Sequence, residues 1–143
     1  ARYSGEDNIL GNSDFRLVTA ENHLGINMED ELSQDDIIVG ELHFAINKPV
    51  LLKFRSRDII HSAFLPHFRA QMNCVPGMVT QFGFTPTQTT AEMKVQEGDD
   101  FDYVLLCNKI CGSGHYNMQM HVIVETQEEY DMWISQQSTL GIK

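Results

Sequence analysis

The 143-residue chain predicts an all-β sandwich with a short C-terminal helix. Three observations carry that expectation. Short runs rich in apolar and β-branched residues recur along the chain, Gly, Pro and Asn separate them, and the residues with the most distinctive chemistry fall in a glycine-bearing loop between two such runs.

Residues 6–36 are polar, rich in Gly and Asn, and only weakly periodic, and they read as a long excursion with little regular structure. Strands are expected at Ile37–Val39, Glu41–Phe44, Pro49–Arg55 and Ile59–Ile60, then at Met78–Phe84, Phe101–Cys107 and Gln119–Glu125. Asn47-Lys48-Pro49 and Val75-Pro76-Gly77 are the clearest breaks. From Glu128 to Gln137, Tyr130, Trp133 and Ile134 share helical offsets, which predicts an amphipathic helix packed on the sandwich. The length suits one domain over residues 1–143, able to bury a single core. No run approaches the roughly 18–20 apolar residues of a membrane helix. The chain opens at Ala1 without a basic or apolar leader, so a processed or truncated product is expected.

A formal charge of −10 disfavours nucleic acid and anionic lipid, both polyanions, and favours a basic partner. Acidic groups cluster at Glu29-Asp30-Glu31, at Asp35-Asp36, at Glu97 with Asp99, Asp100 and Asp102, and at Glu128-Glu129 with Asp131. Each reads either as a solvated face or as a docking face for a basic, lysine-rimmed partner, whose field would act on encounter rate and fade with salt.

The chemistry concentrates in Cys107-Asn-Lys-Ile-Cys111-Gly-Ser-Gly-His115-Tyr-Asn-Met118, two thiols, an imidazole and a thioether in one short stretch. Such soft donors select copper over hard cations. On a helix these offsets would form one seam, but two glycines within a turn cost about 2 kcal/mol of helix propensity relative to alanine. The stretch is therefore expected on a loop between two strands. His61, in Asp58-Ile-Ile-His61-Ser62, is the candidate second imidazole. A Cys107–Cys111 disulfide is the simplest rival, yet it leaves His115 and Met118 unexplained. A Cys2His2 zinc site from Cys107, Cys111, His115 and His61 would leave Met118 without a role. A carrier holding one Cu(I) would need no rigid second histidine, and a blue single-copper site would need only one cysteine. Cys74 reads as a small buried hydrophobe, and His23, His43 and His121 as surface or core side chains. His67 follows His61 closely enough to watch.

The spacing Cys-x3-Cys-x3-His-x2-Met, preceded by Asp-x-x-His-Ser, resembles the CuA domain of cytochrome c oxidase subunit II. The likeness runs from Phe54-Arg55-Ser56 through the Trp133 segment, with Val75-Pro76-Gly77 and Phe84-Thr85-Pro86-Thr87 on the way. It implies a cupredoxin-like Greek-key barrel and a binuclear CuA centre of two copper ions. Cys107 and Cys111 would bridge the ions, His61 and His115 would supply one imidazole each, and Met118 and the Lys109 carbonyl would complete the set. Lys109 departs from the family, which usually has Glu there; a charged lysine accepts nothing, so no magnesium ligand is expected from this side chain. The resemblance further implies electron transfer from cytochrome c, or from a fused or associated cytochrome domain, to haem in oxidase subunit I. It places the domain on the periplasmic face of the bacterial cytoplasmic membrane, anchored by a transmembrane hairpin, with the electron-entry tryptophan ahead of Ala1; Trp133 does not correspond to it. Nitrous oxide reductase, which carries a similar motif, is the alternative host, and a copper carrier the alternative role.

Overall fold

The computed structural model describes residues 1–112 and 118–141. Among them are nine strands and two α-helices: β1 (Arg2–Tyr3), β2 (Ile37–Ile38), β3 (Leu42–Ala45), β4 (Val50–Phe54), β5 (His61–Leu65), β6 (Ala70–Cys74), β7 (Thr80–Phe84), α1 (Thr90–Glu97), β8 (Tyr103–Cys107), β9 (Gln119–Glu125) and α2 (Gln127–Ser135). The chain divides into two compact units, residues 1–40 with 133–143, and residues 41–132.

The second unit carries a five-stranded sheet in the order β3-β9-β8-β5-β6 and a two-stranded sheet of β4 and β7. All neighbours are antiparallel except β3 and β9, which run parallel. The sheet curls into a half-barrel, as the sandwich expectation required. Its core is Leu42, Phe44, Ala63, Leu65, Ala70, Tyr103, Val122 and Val124. Aromatic rings extend this core: Phe68 stacks on Tyr103 at 4.8 Å between centroids, and Phe44 meets Phe84 edge-on at 5.5 Å. Strands β4 and β7 alternate half-buried and exposed residues, the period-two pattern of a sheet with one covered face. Pro76 and Gly77 form the turn before β7, where Met78 N–H donates to the Val75 carbonyl at 3.2 Å and Gly77 takes φ of +81°, a value glycine adopts without strain.

Four features differ from the expected element map, the first being the two-residue strand β1, which no apolar run announces. The strand expected at Ile59–Ile60 begins at His61 instead, because Ser56 and Asp58 hold residues 56–59 in a local turn: Ser56 Oγ donates to the Ile59 carbonyl and lies 3.3 Å from Asp58 Oδ1. Strand β6 is additional, recruited by pairing with β5 rather than by an apolar run of its own. Helix α1 is also additional, and its signal is Thr89-x-x-Glu92: the Thr89 hydroxyl accepts from Glu92 N–H, and the Glu92 carboxylate accepts from Thr89 N–H.

In the first unit, β1 pairs with β2, and residues 6–36 hold only two 3-10 turns and an isolated bridge between Ser13 and Ile26. Its polar composition has a structural use. Asp14, Asn22, Asn27 and Asp30 side chains accept from nearby backbone N–H groups, replacing the ladder bonds that regular strands would supply. Asp36 is fully buried, and its carboxylate accepts from the Arg2 guanidinium and from Gly11 N–H. A buried charge persists only when so paired.

Leu65→Ala, at a side chain 1% exposed, should cost roughly 2–5 kcal/mol, the usual range for a buried leucine truncated in place. Arg2→Ala should cost roughly 3–5 kcal/mol by stranding the Asp36 carboxylate. Denaturant unfolding followed by circular dichroism measures both.

Candidate metal centre

The strand ladder of the second unit assembles the site. Ala63 of β5 lies opposite Cys107 of β8, so His61, two residues back on the same face, projects beside the Cys107 side chain. Cys107 ends β8 and Gln119 begins β9, which puts the predicted loop between two antiparallel strands. Cys107 N–H donates to the Met118 carbonyl at 3.1 Å and closes the base of that loop. Asn108 N–H donates to the Ser62 carbonyl at 3.2 Å and ties the loop to β5. Gly112, at φ of +139°, lets the chain turn after Cys111.

Cys107 Sγ lies 3.9 Å from His61 Nδ1, 3.6 Å from Cys111 Sγ and 3.4 Å from the Lys109 carbonyl oxygen. Cys111 Sγ lies 3.2 Å from Met118 Sδ. Among the described residues no cysteine is disulfide-bonded, and 3.6 Å between the Cys107 and Cys111 sulfurs is too long for a disulfide. His61, Cys107 and Cys111 form a group whose donor atoms all lie within 4.8 Å of one another, able to hold a metal ion. His115 lies outside the described residues.

Asp58 was not expected to have a part of its own. Its Oδ1 lies 2.8 Å from His61 Nε2. With the ring proton on Nε2 and donated to Asp58, the Nδ1 lone pair faces Cys107, the arrangement by which carboxylates orient metal-binding histidines. The carboxylate three residues ahead of the histidine was the legible signal. This hydrogen bond raises the His61 pKa and, with the neighbouring Ile59 N–H, lowers that of Asp58 to about 2.

Burial opposes ionisation of Cys107, but hydrogen bonds at the Ser62 and Lys109 backbone, His61 and Cys111 together outweigh it and bring this thiol down to about 6. Cys111 moves the other way, pushed up by burial and by its bond to Cys107. Two thiols in contact thus divide into one ready thiolate and one that keeps its proton until a cation takes its place.

The remaining histidines have other surroundings. His67 lies beyond the far end of β5, its ring edge-on to Phe101 and Tyr103 at 4.9 and 5.5 Å. His43 is buried between Glu125 and Glu41, at 2.7 and 3.3 Å. Cys74 is buried on β6 opposite His61.

Residues 3–127 match the family described as cytochrome c oxidase subunit II, periplasmic domain. The chain belongs to that family. It is 42% identical over 142 residues to the alternative cytochrome c oxidase subunit 2 of Bradyrhizobium diazoefficiens, covering 98% of this chain and 47% of that protein. It is 33% identical over 106 residues to cytochrome c oxidase subunit 2 of Thermostichus vulcanus, covering 73% of this chain and 28% of that one. The chain thus spans less than half the length of either relative. Its fold is similar to the periplasmic domain of cytochrome oxidase subunit II from Bradyrhizobium japonicum, at a TM-score of 0.56 and 22% identity over 66% of this chain and 61% of that one. A second neighbour, at a TM-score of 0.52 and 21% identity over 66% of this chain and 59% of that one, is a subunit II captured in a mixed disulfide with a thioredoxin-like protein. These relatives are oxidase subunits, not nitrous oxide reductases or copper carriers. Family membership implies copper, and the His61, Cys107 and Cys111 group has the donors for it. The family is named for a periplasmic domain, and among the described residues no helix is long and apolar enough to cross a membrane.

Metal affinity should weaken in acid, because each ligand must release its proton. Where Cys111 alone carries one, apparent affinity should fall about tenfold per pH unit. The slope should steepen as pH drops through the raised His61 value and then through about 6, where Cys107 also binds a proton. Asp58→Asn should lower affinity about 10- to 100-fold at neutral pH. Competition titrations with a chromophoric chelator across pH check both.

Proposed function

We propose that this chain is the CuA electron-transfer domain of a haem-copper oxidase, holding two copper ions and taking up one electron at a time. Four described groups support the reading: the His61 imidazole, the Cys107 and Cys111 sulfurs and the Met118 thioether follow one another at 3.2–3.9 Å. Thiolate, thioether and imidazole are the donors that suit copper, and hard cations would not select them. Zinc held by the cysteines and histidines would leave Met118 without a role, although its sulfur adjoins Cys111.

The Cys107 and Cys111 thiolates, the His61 and His115 imidazoles, the Met118 thioether and the Lys109 carbonyl would hold the ions. What bound copper supplies there is reversible one-electron chemistry, with charge shared through two thiolates. The protein limits rearrangement. His61 and Cys107 are fixed by the β5–β8 ladder, Met118 by its carbonyl's bond to Cys107 N–H, and the imidazole ring by Asp58. Ligands tied to paired strands cannot follow each change of charge far, which keeps reorganisation small. Met118 and the Lys109 carbonyl, the weakest donors of the set, would tune the potential. His115 is our candidate for the exit toward haem in subunit I, and a cytochrome c or an associated cytochrome domain for the donor. We read residues 1–143 as one functional domain at the periplasmic face of the membrane, anchored through segments beyond this chain.

Copper analysis with electron paramagnetic resonance tests the reading. Two coppers per chain sharing one unpaired electron equally are expected; one copper with a localised signal would overturn it. Cys107→Ser and Cys111→Ser should each abolish the two-copper signal. Met118→Leu should keep copper and shift the potential in a redox titration, and equal copper loss in all three variants would contradict this division of roles.

A further inference from the structure

The net charge of −10 conceals an uneven distribution. Within the second unit, residues 53–81 and 103–124 build the strands and loops at the metal centre, and together they contain five Lys or Arg against a single carboxylate. That carboxylate is Asp58, already bonded to His61 Nε2 at 2.8 Å. Topology places most of these cations at the metal-bearing end. Strand β4 runs toward that end, where Phe54 pairs with Thr80 and Ser56 bridges to Pro76, so Arg55 and Arg57 flank the turn that follows Cys74. Arg57 directly precedes Asp58. Lys109 follows two residues after Cys107, its carbonyl 3.4 Å from the Cys107 sulfur. All three cationic side chains are exposed.

The acidic clusters of this unit occupy the other end of the same strands. Glu97, Asp99, Asp100 and Asp102 precede Tyr103, where β8 starts; Cys107, where it finishes, is four residues on, about 13 Å along a strand. Glu128, Glu129 and Asp131 follow the distal end of β9, six residues and about 20 Å from Gln119. The Debye length at physiological ionic strength is about 8 Å, so both clusters are largely screened from a partner at the metal. Of the charges that this unit presents, Arg55, Arg57 and Lys109 are, with Asp58, the ones nearest the metal-bearing end. The same end presents apolar surface: Ile110 is 89% exposed, and Ile59, Ile60, Met78 and Val79 on neighbouring loops are each at least 40% exposed.

We propose that the metal-bearing end docks a soluble electron carrier whose own contact face is acidic around an apolar centre, rather than a lysine-rimmed one. This rests on the electron-transfer reading above. The cations set the partner's charge and its rate of encounter, and the apolar loops supply the dry contact through which an electron passes.

The test titrates the 143-residue chain with an oxidised acidic cytochrome c and with an oxidised basic one, by calorimetry at low and at physiological salt. The acidic protein should bind at least about tenfold more tightly at low salt and lose that advantage as salt is added. Arg55→Glu with Arg57→Glu should reverse the preference, and Arg55→Lys with Arg57→Lys should retain it. Circular dichroism and copper content check that both variants fold. Tighter binding of the basic protein, binding of neither, or indifference of the acidic protein to the glutamate pair would overturn the proposal. Reduction of the copper-loaded chain by ascorbate separates the two failures. A loaded chain that ascorbate cannot reduce defeats the electron-transfer reading itself, whereas one that it reduces, but that prefers the basic cytochrome, defeats only the docking proposal.

Discussion

The pairing of β5 with β8 is the constraint on which the site depends. Ala63 opposite Cys107 puts His61 on the face that carries the cysteine sulfur, and side-chain period two makes this choice binary. A slip of one residue would turn His61 outward and bring Ser62 to the sulfur. Packing forbids the slip, since the same face holds Ala63 and Leu65, 8% and 1% exposed, and a shift would carry both out of the core. Burial of two apolar residues thus fixes the position of a histidine at the strand's mouth. The other face has its own lock, where the Gln71 side chain donates to Ser62 Oγ at 2.6 Å.

The hairpin from β8 to β9 solves a different problem, because a loop that carries several donors could collapse or swing. Its base is closed by Cys107 and Met118, and Asn108 is bonded across to Ser62. These bonds keep the Cys107, Cys111 and Met118 side chains close, with successive sulfurs 3.6 and 3.2 Å apart. Asymmetry between the two thiols follows from this local bonding. Cys107 stands among donors that stabilise a thiolate, while burial, then the hydrogen bond to Cys107 and its charge, hold the Cys111 thiol up.

How much of this could be read from residues alone depended on how local each signal was. The sequence spacing of Cys107, Cys111 and Met118 sufficed to place them on one loop between strands, because every residue involved lies within twelve positions of the others. His61 was legible through Asp58-x-x-His61-Ser62, yet its distance from Cys107 is set by a ladder between residues more than forty apart, which no local pattern reports. Strand β6 escaped for a related reason: Ala70-Gln-Met-Asn-Cys74 is not an apolar run, and only β5 beside it makes it a strand. Helix α1 has a legible capping box in Thr89-x-x-Glu92, but it buries no side chain fully and so lacks the apolar stripe that marks a helix in sequence. Acidic clusters were visible as composition, but composition has no direction; which end of a strand they occupy required the topology.

That direction changes what net charge can say about partners. A charge of −10 spread evenly would favour basic proteins everywhere on the surface, and the simplest expectation from composition follows that logic. Strands of the second unit separate the signs instead, with carboxylates gathered where β8 begins and β9 finishes and cations gathered near the sulfurs. Screening turns a separation of one or two Debye lengths into near independence, so the two ends of one small unit present different electrostatics to different neighbours. A carrier docked there, as proposed, would respond to Arg55, Arg57 and Lys109 before the carboxylates at the far ends of β8 and β9.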